Sequence, residues 1–181
     1  MKLLLTCWWH FAGYLLPPMA VVFLMNLLDE GFSGGDLGGM LVGWGGVSLC
    51  AAVLAVVLLR RRARGAGIVL TVGALADRQI RLLRARDPGD GWQTRVRDRL
   101  AAGERASLVA EKGREEIWFR WRPGRSDRSV WGSLAFDADA GTVVLDLRDG
   151  ERLLGVAGLR RGAAFTALCQ VAVALELTGD P

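Results

Sequence analysis

Half of the 181 residues are apolar, yet charge is placed so unevenly that before Arg60 only Lys2, Asp29, Glu30 and Asp36 carry it. Setting aside Lys2 and the arginines of 60–64 leaves 18 of the 23 basic residues, against the 16 acidic ones left when Asp29, Glu30 and Asp36 are taken from 19, so half of the formal +4 belongs to the first third of the chain. A pI near 9.5 is then weak support for nucleic-acid binding; a single histidine excludes a His-based triad or a multi-histidine metal site within one chain, and three dispersed cysteines form no paired zinc motif or disulfide framework.

Residues 3–28 contain no formal charge. The pattern predicts an interfacial segment over 1–10 leading into a transmembrane helix over 11–28, because Trp8, Trp9 and Tyr14 suit the headgroup region and Lys2 lies on the same side. Pro17 and Pro18 lack amide donors, so carbonyls around Ala12 to Tyr14 need other partners. His10 is the one side chain that titrates near neutral pH. A proton relay or haem ligation in trans competes there with a plain interfacial role, and the plain role is the better supported with no intramembrane carboxylate nearby. A cleaved leader is disfavoured, since no A-x-A site follows and a second span does.

Residues 29–36 (DEGFSGGD) read as a short external acidic turn. Residues 37–59 are uncharged, and at about 1.5 Å per residue they are long enough for a second transmembrane helix. Arg60, Arg61, Arg62 and Arg64 follow at once in an arginine-rich junction, 60–67, with Gly65 to Gly67 as a flexible joint. Guanidinium groups resist transfer into lipid, so positive-inside bias puts both termini in the cytoplasm, across a bacterial inner membrane. Within the second span Gly39, Gly43, Gly46 and Cys50 share one face and admit close helix packing. The chain's own first helix is the simplest occupant of that face, with a second copy or a partner's helix as the alternative.

Residues 68–181 are expected to form a cytoplasmic α+β domain. Leu75, Ala76, Ile80 and Leu83 recur at helical spacing, which predicts a basic amphipathic helix over 74–86 whose Arg78, Arg81 and Arg84 face anionic lipid or whose apolar stripe packs on the domain. After the turn at 87–91, Trp92, Val96 and Leu100 predict a short helix. Strands are expected at 107–111, 115–122, 130–136, 142–147 and, after a hairpin at 148–151, at 152–156. Asp137, Asp139 and Gly141 mark a turn, because the glutamate that a calcium loop needs at its twelfth position is Arg148. Residues 162–177 are too few for a third crossing and predict a helix packed on an antiparallel sheet, with Cys169 as a small buried apolar residue. By layout alone, a sheet closed by a helix is compatible with a pleckstrin-homology-like roll.

Alternation places Trp118, Arg120 and Arg122 on the outer face of one strand, and pairing Arg122 with Ser129 brings Arg120 opposite Trp131 in a cation–π arrangement. With Arg125 and Arg128 beside them, they are the candidate partner surface. No motif assigns a catalytic, metal or cofactor site. The sequence thus points to a non-enzymatic membrane adaptor or accessory subunit that binds membrane lipid and a protein partner or a second copy. The alternative is an auxiliary subunit of a transporter, secretion or respiratory assembly docking through the second span, with a tethered enzyme and nucleic-acid binding disfavoured.

Overall fold

The computed structural model describes residues 1–30, 34–87, 89–112, 115–124, 129–137, 140–149 and 162–179. They fall into two compact units, Met1–Leu58 and Leu59–Pro181. The predicted strand at 152–156, Arg125, Arg128 and Asp139 lie outside the described residues.

The first unit holds helix α1 (Lys2–Glu30) and helix α2 (Gly34–Ala66) up to Leu58. Two stretches, Lys2–Leu28 and Leu37–Ala66, are long and apolar enough to cross a membrane. α1 has no break near His10 and runs on through Pro17 and Pro18. Its helix formers tolerate the early turns, where Thr6 donates to the Lys2 carbonyl at 2.9 Å. One residue before the two carbonyls that the prolines leave without helical donors, Ala12 O accepts the Trp44 indole Nε1–H at 3.0 Å. Trp8 Nε1–H likewise donates to Ser48 Oγ at 3.0 Å. Small residues line the contact, with Cys7 and Ala12 on α1 and Ser48 and Ala52 on α2 all buried.

This pairing overturns the simplest occupant of the glycine stripe. Gly39, Gly43, Gly46 and Cys50 are exposed, and a Cβ built at any of the three glycines meets no atom within 4 Å. At about 100° per residue they lie opposite Ser48 and Ala52. Smallness did not choose the packed face, because both sides of α2 carry small residues. Two indole N–H groups with acceptors across the interface distinguish one side from the other.

The second unit begins with the last turns of α2. The helix does not stop at the arginines but ends at Ala66, where Gly67 takes φ +64°. There Gly67 N–H donates to Arg64 O at 3.2 Å and Ile68 N–H to Ala63 O at 2.9 Å, the paired bonds of a Schellman cap. The expected flexible joint is therefore a capped helix terminus, and Leu59, Ala63 and Ala66 are part of the unit's core. A 3₁₀ turn, Val72–Leu75, then leads to β1 (Arg78–Ala85), α3 (Trp92–Ala102), β2 (Ala106–Lys112), β3 (Glu116–Trp121), β4 (Val130–Asp137), β5 (Thr142–Asp149), α4 (Ala163–Ala174) and β6 (Leu177–Gly179).

The strands pair antiparallel throughout in one six-stranded sheet of order β2-β3-β4-β5-β1-β6. The sheet is open rather than rolled. Ile117, Phe119, Val130, Leu134, Val143, Leu145 and Leu147 point to one side and are almost fully buried with Phe165, Leu168 and Val171 of α4; Trp92, Val96 and Leu100 of α3 belong to the same core.

The basic helix expected over 74–86 is instead strand β1. Its inner positions are Gln79, Arg81, Leu83 and Ala85, so two polar residues interrupt the apolar alternation and disguise a strand as a helix. Gln79 tolerates burial because its Nε2 donates to Gly73 O at 2.7 Å and Ala76 O at 3.2 Å. Arg78 and Arg84 therefore sit on the outer face, while Arg81 points inward and reaches Thr71 Oγ1 at 3.4 Å. The three arginines share no single lipid-facing surface.

Candidate interaction surface

The alternation that buries one face of the sheet leaves the other uncovered by any described element. Its register is set by strand pairing, so residues distant in sequence line up in rows. Arg120, Trp131, Arg148 and Arg78 stand side by side across β3, β4, β5 and β1. The next row on the same face runs Trp118, Ser133, Asp146 and Ile80.

Within the first row the Arg120 guanidinium carbon lies 4.0 Å from the centroid of the Trp131 ring, the contact expected from alternation. Stacking holds the guanidinium against an apolar plate and leaves its N–H edges without a partner among the described residues. Trp118 is 41 % exposed, and Ile80, Leu82 and Val144 continue the apolar part of the face. Arg122, just past the end of β3, is exposed, and its backbone N–H donates to Arg105 O at 2.8 Å. Structure therefore brings Trp118, Arg120 and Trp131 together and sets Arg122 at their margin.

Sequence reasoning missed the other half of the row. Arg78 grips Asp146 with two hydrogen bonds, Nε to Oδ1 at 3.0 Å and Nη2 to Oδ2 at 2.6 Å, while Arg148 Nη2 donates to Oδ2 at 3.1 Å. One carboxylate thus serves two guanidinium groups and the row stays cationic. With β1 read as a helix, no pairing register linked Arg78 to Asp146.

The Arg78 hydrogen bonds hold the Asp146 carboxyl below its ordinary range, helped by Arg148 and opposed by partial burial. A depressed folded-state pKa contributes stability that is present above the unfolded value and is lost as pH falls through the folded one. Asp146→Asn is accordingly expected to melt below wild type at neutral pH, with the gap closing in acid below the carboxylate range. Paired thermal melts across pH check this, and a gap that is constant with pH would refute the charge-based role.

Of the remaining predicted residues, Arg60, Arg61 and Arg64 are exposed on the last turns of α2, and Arg62 Nη1 donates to Thr166 Oγ1 at 2.9 Å. His10 is half-buried in α1. At the β4–β5 turn Ala140 N–H donates to Asp137 Oδ1 at 3.1 Å. Among the described residues no group of three or more His, Cys, Asp or Glu is placed to hold a metal ion. No protein-family model, curated protein or solved structure matches this chain.

Proposed function

We propose that the chain is a non-enzymatic adaptor of a bacterial inner membrane, anchored by α1 and α2 with both termini in the cytoplasm, and that the open face of its sheet docks an acidic protein partner. The observation that carries this reading is the Arg120–Trp131–Arg148–Arg78 row, cationic and bordered by exposed Trp118, Ile80 and Leu82. Aromatic and arginine side chains are the residues that dominate binding energy at protein interfaces. Two apolar helices of sufficient length support the anchor, and the arginines after the second support the orientation.

One observation favours a second reading, docking of a partner's transmembrane helix or of a second copy on α2. The Gly39, Gly43, Gly46 and Cys50 face is left open by α1. A photocrosslinking amino acid placed at Ser133, in the adjoining row of the same face, or at Gly43 in the full chain, expressed in cells, separates the two. The adaptor reading expects a discrete adduct from a probe at position 133, reduced about tenfold or more by Arg120→Glu in the same chain. An adduct formed only from position 43, insensitive to Arg120→Glu, would replace it with the helix-docking reading.

A further inference from the structure

The second unit also contains a cleft of about 610 Å³ on the helix-bearing side of the sheet, away from the outer face. Its size falls in the range of small-molecule sites. Four separate segments build it: the end of α2 supplies Arg62, the α3–β2 loop Glu104 and Arg105, the end of β3 Trp121, and α4 Cys169 and Val173.

The floor is apolar and already satisfied. Trp121 and Cys169 are almost completely buried. The Trp121 indole Nε1–H donates to Gln170 Oε1 at 2.9 Å, and Gln170 Nε2 donates onward to Pro123 O at 3.1 Å, so these polar groups have partners before any ligand arrives. Burial pushes the Cys169 thiol up to about 11, against the opposing pull of the Arg62 charge, so at neutral pH the floor carries no thiolate to repel an anion. Val173 is 56 % exposed at the rim, although its neighbours Val171 and Ala172 on α4 are fully buried.

The rim is cationic, with two guanidinium groups against one carboxylate. Arg62 commits Nη1 to Thr166 Oγ1, which fixes the guanidinium, and its other donors have no partner among the described residues. A held arginine above an apolar, neutral floor complements a ligand with an anionic, bidentate head and an apolar body.

From this geometry we infer that the cleft binds a phosphate ester bearing an apolar group, with the phosphate on Arg62 and Arg105 and the apolar part against Trp121 and Val173. The inference is independent of the partner assigned to the sheet face. The ester is read as a lipid headgroup with the start of its chains; a free, water-soluble phosphate lacking an apolar part is the rival source that the titrations separate.

The test is titration of the full chain in neutral maltoside micelles, followed by calorimetry, with dihexanoyl phosphatidylglycerol and separately with glycerol phosphate. Saturable binding of the lipid is expected, weakened about tenfold or more by Arg62→Gln, which removes a charge-assisted contact, and unchanged by Lys112→Gln, a charge-matched substitution on β2. Val173→Asp, at an exposed site, is expected to weaken the lipid without unfolding the chain, as far-ultraviolet circular dichroism would verify. Much weaker binding of glycerol phosphate supports the lipid source. Glycerol phosphate binding as tightly as the lipid would remove the apolar floor from recognition and overturn the inference. Equal effects of Arg62→Gln and Lys112→Gln would reduce the binding to general surface charge, and the absence of saturable binding would overturn it outright.

Discussion

Gly132→Ala, the addition of one methyl group, is expected to lower the thermal midpoint of the second unit by ~10–20 °C, corresponding to a loss of about 3 kcal/mol. Gly132 lies at an inner position of β4, between β3 and β5, directly opposite Phe119 and Leu147. A Cβ there would come within 2.4 Å of Phe119 Cζ and 2.8 Å of Leu147 Cδ2. Phe119 and Leu147 are fully buried, so neither can swing into solvent to make room. The ring must leave its packed position or the strands must part, and either loosens the centre of the sheet. Gly132→Val should be worse, because its branched side chain adds volume at the same point. Circular dichroism melts of the full chain in detergent measure the effect. A Gly132→Ala midpoint within 2–3 °C of wild type would mean that the Phe119 ring is not held as described.

The same position shows how far the sequence could be read. Alternation through Val130, Gly132, Leu134 and Phe136 places the glycine on the apolar side, but the reason for it is a ring on β3 that the linear sequence does not align with it. Strands β3 to β5 and helices α3 and α4 were legible because their buried positions largely repeat at one period, whereas β2, exposed along most of its length and shifted in register between Leu108 and Ala110, was legible only from the change of pattern after α3. β1 was not, because Gln79 and Arg81 occupy inner positions and Ile80 with Leu83 mimics helical spacing across two faces. That single misreading also hid the Arg78–Asp146–Arg148 cluster, which exists only once β1 is laid beside β5. On the candidate surface, Arg120 and Trp131 were legible since both lie on strands consecutive in sequence and needed only a register. Small residues on both sides of α2 could not say which side meets α1, and the Trp8–Ser48 and Trp44–Ala12 bonds that decide it join residues 40 and 32 positions apart. The cleft escaped notice for the same reason, being assembled from segments that periodicity treats one at a time.

Under the proposed topology, neutralising Arg60, Arg61 and Arg64 together as glutamines is expected to mix the orientation of the chain, so that a reporter after Pro181 is divided between the two sides instead of lying on the cytoplasmic side alone. Moving an arginine to the bilayer centre costs about 2.5–3.5 kcal/mol on insertion scales, and three together present a barrier on the order of 8–10 kcal/mol to carrying this end of α2 across. Without them the retained bias comes from Lys2, Arg62 and Arg78, while Asp29, Glu30 and Asp36 contribute little to orientation. Leaving Arg62 in place keeps its hydrogen bond to Thr166, and Arg60, Arg61 and Arg64 are exposed, so the second unit should melt as wild type. That melt separates a topological effect from misfolding. Transferring the charges to the acidic residues between the two spans, which stand on the ends of α1 and α2 rather than in the turn expected at 29–36, as Asp29→Arg, Glu30→Arg and Asp36→Arg in the same chain, should drive the reporter to the outer side in most molecules. A reporter that stays cytoplasmic in both variants would show that something other than charge orients the helices, and full-length protein recovered in the aqueous fraction would mean that α1 and α2 are not membrane spans at all.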